Sequence, residues 1–293
     1  MKRQIKAVLY PLVYRAGRER HDGGITVLSY HSVDECGTGI SVSPRRFAAQ
    51  MATLAAEGCP SFTMSQVAEY LAAGRPFPPR AVAVTFDDGF ANVGTVAAPI
   101  MARYGVTGTV YVIAGMIGRV INWTEHGAPL PPLPILTWDQ IRALTEQGIE
   151  IGAHSITHGF LTRYPPDKLR RELGEPRAVL EQTLGRPVVS FAYPQGDYNP
   201  AVVAATRAAG YTNATTIDQG RVTGGTDPFL LPRLHVGENT TPAVLRAFTV
   251  PTIGPAYMLI NGVIRGVLGR ERWPRPYPAD IQSSETVPLP KES

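Results

Sequence analysis

The chain has 293 residues, of which 44% are apolar and 18% charged, with a formal net charge of +4. That length suits one large α/β domain with a full core, and so small a positive charge argues against nucleic acid as a partner. Only Cys36 and Cys59 are present, too few for a disulfide framework and without the paired spacing of a thiolate metal site, so both are read as free thiols.

The opening stretch, MKRQIKAVLYPLVYRAGRER, begins basic like a secretion signal. Its apolar run is short, contains Pro11, and meets further basic residues without a small-residue cleavage site. Residues 1–23 are therefore read as a basic helical segment, which either packs on the domain or lies along an anionic membrane surface. The expected location is the cytoplasm or the cytoplasmic membrane face. From residue 24, GITVLSYHSV is a strand; SPRRFAAQMATLAAEG is a helix with Phe47, Met51, Leu54 and Ala55 at helical spacing behind a capping Ser43. FTMSQVAEYLAAG follows as helix, AVAVTF as strand, GTVAAPIMARYG as helix and TGTVYVI as strand. The Pro-rich GRVINWTEHGAPLPPLP is a long loop of the kind that is often functional. Beyond it come LTWDQIRALTEQG (helix), IEIGAH (strand), DKLRRELGEPRAVLEQTLG (helix), VVSFAYP (strand) and PAVVAATRAAG (helix). Strands alternating with helices at this spacing predict βα units and a mostly parallel sheet, open or closed into a barrel. The main domain is assigned to 24–250. An amphipathic helix over 251–273 is too short and too interrupted by Gly and Arg to cross a bilayer, and a Pro-, Ser- and Glu-rich tail over 274–293 is expected to be disordered.

Two of the strands end in reactive side chains. AVTFDDG places Asp87 and Asp88 at a strand's carboxyl end, the edge of a parallel sheet where loops converge on a ligand crevice. Taken alone, Asp-Asp-Gly also fits a solvated loop in which Asp87 caps the next helix. IEIGAH runs into HSITHG, where His154 and His158 are four apart, so one helical turn or a tight loop turns both imidazoles toward one place. Two His and one carboxylate make a facial metal set that leaves positions open for water and substrate. One Asp would then hold the ion while its neighbour accepts a proton, and the cation relieves the repulsion between the paired acids.

TFDDG, HSITH and FAYPQG, in that order, together with LSYHSV, LTWDQI and LPRLHV, resemble the polysaccharide deacetylases of carbohydrate esterase family 4 over about residues 24–240. The resemblance implies a distorted (β/α) barrel, an N-acetylated glycan as substrate, and a single divalent metal held by Asp88, His154 and His158, with Asp87 as general base. Zinc is the family's usual ion, and cobalt, nickel or iron suit the same ligands. The implied reaction removes N-acetyl groups from an amino-sugar polysaccharide or lipid-linked glycan. Its rivals are O-acetyl ester hydrolysis on the same scaffold and a weakly catalytic glycan-binding module at a membrane.

The third motif departs from the family's commonest form, in which an Arg orients the base. Here Ala192 stands in that place, and FAYPQG resembles the branch acting on exopolysaccharides such as poly-N-acetylglucosamine. Tyr193, Pro194, Gln195 and Gly196 are assigned to the substrate and oxyanion region, the donor being a backbone N–H at Gln195 and Gly196 keeping the turn open. The guanidinium is expected from Arg233, whose alternative is a surface salt bridge. His235 is the candidate general acid and His31 a candidate lining of the sugar cleft, each with a packed structural His as its alternative.

Overall fold

The computed structural model describes residues 2–121, 124–125, 128–129, 131–254, 256–257 and 259–260. Eight strands make the central sheet: β1 (Thr26–Tyr30), β2 (Ser61–Phe62), β3 (Val82–Phe86), β4 (Gly108–Val112), β5 (Glu150–Ala153), β6 (Ser190–Ala192), β7 (Asn213–Thr215) and β8 (Leu234–His235). They lie in the order β7-β6-β5-β4-β3-β1-β8, and every pairing is parallel. β2 shares one edge of β3 with β4, lying beside Val82–Ala83 while β4 lies beside Val84–Phe86. β1, β3 and β4 are buried at every residue, which is why their sequences read as near-continuous apolar runs. The sheet curls into a distorted, incompletely closed (β/α) barrel. At the seam between β7 and β8 a single bridge, Thr215 to Leu231, stands where a ladder would close it.

The helices are α1 (Lys2–Gly17), α2 (Pro44–Ala56), α3 (Met64–Ala72), α4 (Ala98–Arg103), α5 (Trp138–Glu146), α6 (Pro166–Leu184), α7 (Pro200–Ala208) and α8 (Pro242–Phe248). Their starts follow side-chain chemistry. Ser43 accepts the Arg46 N–H ahead of α2, and Thr63 with Gln66 and Thr137 with Gln140 form reciprocal capping boxes at α3 and α5. In α2 the residues Phe47, Met51 and Leu54 are buried as their spacing predicts, whereas Ala55 turns outward.

Three differences from the sequence reading have physical causes. GTVAAPIMARYG is not one helix: a widened π-type turn over Val93–Ala97 precedes α4, because Pro99 lacks the N–H that would continue the regular ladder. β7 has no apolar run to announce it: Asn213 and Thr215 flank a single Ala and are buried, with Asn213 Nδ2 donating to Ser190 Oγ at 2.9 Å. The Pro-rich loop contains two short antiparallel pairs, Val120–Ile121 with Leu133–Pro134 and Thr124–Glu125 with Ala128–Pro129. Of the segment 251–273, residues 251–252 form a turn and 253–254, 256–257 and 259–260 are helical; its other residues and the tail 274–293 lie outside the described residues. Cys36 and Cys59 are both free thiols. Among the described residues no helix is long and apolar enough to cross a membrane.

α1 packs on the domain by one face. Tyr10 is buried with its ring edge-on to Phe248 at 5.9 Å, Tyr14 donates to the Glu57 carboxylate, and Gly17 approaches residue 252 so closely that a Cβ would sit 2.2 Å from Thr252 Oγ1. Val8 and Leu12 remain exposed on the other face. Tyr10→Ala is expected to cost about 3–5 kcal/mol, the loss typical of a buried aromatic ring. Thermal unfolding reads it as a lowered Tm, and an unchanged Tm would mean that α1 is undocked in solution.

Candidate active site

The carboxyl ends of five barrel strands carry the reactive groups: His31 follows β1, Asp87 and Asp88 follow β3, His154 follows β5, Tyr193 to Gly196 follow β6, and His235 ends β8, with Arg233 reaching in from just before that strand. Local backbone geometry is unusual here. Asp88, Ser155, His158 and Gln195 all have positive φ (69°, 62°, 59° and 56°), four of the five non-glycine residues in that state among those described. Such clustering of disfavoured backbone marks a site whose surroundings over-determine it. The Asp88 turn continues into Gly89 at φ 72°, where a Cβ would also press on Val112 at 3.0 Å.

That turn sends the two carboxylates to different partners. Asp87 meets Arg233 in two parallel hydrogen bonds, NH1 to Oδ1 at 2.7 Å and NH2 to Oδ2 at 2.8 Å. Arg233 is 1% exposed and is held in turn by the Thr216 carbonyl at 2.9 Å and Thr85 Oγ1 at 3.2 Å. Asp88 instead faces the imidazoles: its Oδ1 is 3.3 Å from His158 Nε2 and 3.5 Å from His154 Nε2. His154 Nδ1 is paired with the Ala192 carbonyl at 2.8 Å, which fixes the ring and leaves Nε2 toward Asp88. The histidine loop is tight rather than helical, closed by the His158 N–H donating to Ser155 Oγ at 2.9 Å. Ser155 is absent from the sequence reading, although its place inside HSITH is the only signal it offers.

The electrostatics separate the groups. Burial pushes the Asp87 carboxyl up, but Arg233 outweighs it and holds the acid well below the usual carboxylate range. Asp88 is likewise raised by burial yet lowered on balance by its histidine neighbours. Burial takes His158 down to about 4, so its ring is neutral at pH 7. His154 goes the other way: Asp88 and Asp87 overcome its burial and raise it, a local excess of negative charge that a divalent cation would offset.

A divalent ion fits these residues. Asp88 Oδ1 is buried and lacks a hydrogen-bond partner, which is costly unless something else meets it. Among the described residues, Asp88, His154 and His158 form one group whose ligand atoms all lie within 4.8 Å of one another. Two imidazole nitrogens and one carboxylate oxygen are a donor set suited to zinc and related ions.

The family of polysaccharide deacetylases matches residues 74–214. The chain carries a polysaccharide deacetylase domain. It is a hydrolase of the deacetylase type. YxkH of Bacillus subtilis (strain 168) is 25% identical over 224 residues, 76% of this chain and 75% of that protein. The poly-beta-1,6-N-acetyl-D-glucosamine N-deacetylase of Staphylococcus aureus (strain MRSA252) is 22% identical over 208 residues, 68% of this chain and 69% of its own. Among solved structures, IcaB from Ammonifex degensii superposes with a TM-score of 0.66 at 26% identity, covering 78% of this chain and 97% of that one. The Streptococcus pyogenes deacetylase PplD shares the fold at a TM-score of 0.69 and 23% identity, over 78% of this chain and 99% of that one.

Other expected members of the deacetylase site fall differently. His31 is 24% exposed at the mouth, with Nε2 4.0 Å from Asp87 Oδ2. His235 packs edge-on to it, ring centres 6.1 Å apart, and burial with the neighbouring His31 and Arg233 lowers it to about 4. Gln195 and Gly196 are half-buried at the rim, and Gln195 Nε2 donates to the His158 carbonyl at 3.2 Å. Tyr193 is a correction. It is fully buried, its hydroxyl donates to the Phe229 carbonyl at 3.1 Å, and its ring packs against Phe191 and Tyr198, so it supports the motif from behind and does not reach substrate. Pro194 is buried with it.

Proposed function

We propose that the protein is a metal-dependent N-deacetylase acting on a polymer of N-acetylglucosamine. The observation that carries this reading is the pairing of a buried, Arg233-clamped Asp87 with the adjacent Asp88–His154–His158 group at one mouth of the barrel. The printed activity of the S. aureus relative supports the choice of polymer and of the N-acetyl group.

Asp88, His154 and His158 would hold the ion. A bound divalent cation there supplies Lewis acidity, polarising an amide carbonyl and making a water molecule more acidic. Asp87 would accept a proton from the attacking water, and Arg233 keeps the carboxylate ionised and aimed for that task. The leaving amine needs a proton in return. His31 serves this role better than His235, because it is open to the mouth beside Asp87, whereas a ring lowered to about 4 is deprotonated at pH 7. The backbone N–H of Gln195, a residue half-buried at the rim, would serve a developing oxyanion.

The test is acetate release from matched N-acetylated and O-acetylated glucosamine oligomers, with and without prior removal of metal by a chelator. N-acetyl substrates are expected to be cleaved and zinc to restore the chelated protein. Preference for O-acetyl substrates would make it an esterase, and acetate release unaffected by chelation would end the metal assignment.

A further inference from the structure

Behind the histidine loop lies a buried carboxylate outside the proposed chemistry. Glu172, in the middle of α6, is 2% exposed and makes no ion pair among the described residues. Its charge is met by the loop instead. Oε2 accepts the Ile156 N–H at 3.0 Å and the Thr157 N–H at 3.1 Å, and Oε1 accepts from Thr157 Oγ1 at 2.8 Å. These donors lie between Ser155 and His158, the two loop residues with positive φ. Non-glycine residues keep that backbone only when their surroundings enforce it. On the opposite side, the Ala114 and Gly115 N–H groups donate to the Ser155 and Ile156 carbonyls at 3.0 and 3.1 Å. Gly115 comes so near that a Cβ would lie 2.4 Å from the Ile156 oxygen. The loop is therefore gripped through its carbonyls from one side and through its amides by Glu172 from the other.

We propose that Glu172 is a positioning residue for the metal centre: by fixing the Ile156–Thr157 backbone it presets the separation and aim of the His154 and His158 rings. This rests on the metal reading given under Proposed function. A burial this complete of an acid without a cationic partner is expensive, and three aimed donors are what make it tolerable. Outer partners that orient metal ligands commonly change metal affinity when altered, even though they touch no metal.

Zinc affinity, measured by competition with a chromogenic chelator, and the Tm of the zinc-free protein separate positioning from simple support of the fold. Glu172→Gln keeps an oxygen for both N–H groups and can offer its amide to Thr157 Oγ1, so its affinity should stay close to native. Glu172→Asp withdraws the acceptor by one methylene and should weaken zinc about 10- to 100-fold; its zinc-free Tm should fall as well, since the buried charge loses donors, so affinity is read at temperatures where the variant is folded. Glu172→Ala should weaken zinc at least as much. A folded Asp variant with native affinity would overturn the proposal, as would a Gln variant as weak as Asp, which would point to charge alone. Hydrogen exchange on the unaltered protein gives a second arm. The Ile156 and Thr157 amides should exchange slowly even without zinc, and fast exchange there would also overturn it. Should the native protein bind no zinc while these amides stay protected, the metal reading itself would fall, and the positioning role with it.

Discussion

Asp87→Asn is expected to keep its zinc and lose its turnover, whereas His158→Ala should lose both. The two acids are neighbours in sequence but not in role, because the positive φ of Asp88 turns one carboxylate to Arg233 and the other to the imidazoles. An Asn at 87 still offers one oxygen to Arg233, so the mouth of the barrel keeps its shape. It cannot accept a proton, and turnover should fall by about two to four orders of magnitude, the usual range for loss of a general base. His158→Ala removes one of three ligand atoms and leaves Asp88 and His154 unable to close the set. Metal content per chain, read by atomic emission beside acetate release, decides between the outcomes. An Asp87→Asn protein that is metal-free, or that still turns over, would show the division between the acids to be wrong.

What the sequence made legible was local. Asp87 and Asp88 end a strand of Val, Thr and Phe, and His154 and His158 lie four apart after another, so short-range pattern alone could direct four groups to one edge of a parallel sheet. Arg233 could be reached only by asking what replaced the guanidinium missing at Ala192. Its pairing with Asp87 spans 146 residues and depends on β8 lying beside β1, a matter of sheet order that no local spacing encodes. Tyr193 shows the opposite failure: the motif placed it near substrate, but burial is decided by Phe191, Tyr198 and the Phe229 carbonyl around it. Glu172 had a signal that went unread. It falls with Leu169, Leu173 and Pro176 on the buried stripe of α6, where an acid has to be explained by what it holds. β7 offered none, because Asn-Ala-Thr carries no apolar run and its burial comes only from its place in the sheet beside β6.

Arg233→Ala should lower turnover by about two to four orders of magnitude without releasing the metal, within the reach of positioning and acid–base effects. The guanidinium does three things at once. It aims Asp87 through two bonds, offsets the cost of burying that charge, and bridges the barrel mouth by also donating to the Thr216 carbonyl and Thr85. Breaking a buried pair by removing one partner costs about 3–5 kcal/mol, so a lowered Tm is expected as well, and kinetics must be taken where the variant is folded. The pH profile isolates the electrostatic part. Arg233 holds the Asp87 carboxyl below its usual range, so its removal must raise that pKa, and a base has to be ionised to act. The acid limb of kcat/KM should therefore move to higher pH in Arg233→Ala, while an Asp87 variant shows no such limb to move. Arg233→Lys should recover part of the acid limb but little of the rate, since a point charge restores attraction without the two-pronged grip. Near-native kinetics in Arg233→Ala, or a rate loss with the acid limb unmoved and the metal gone, would separate Arg233 from Asp87 and reduce it to a brace across the open seam of the barrel.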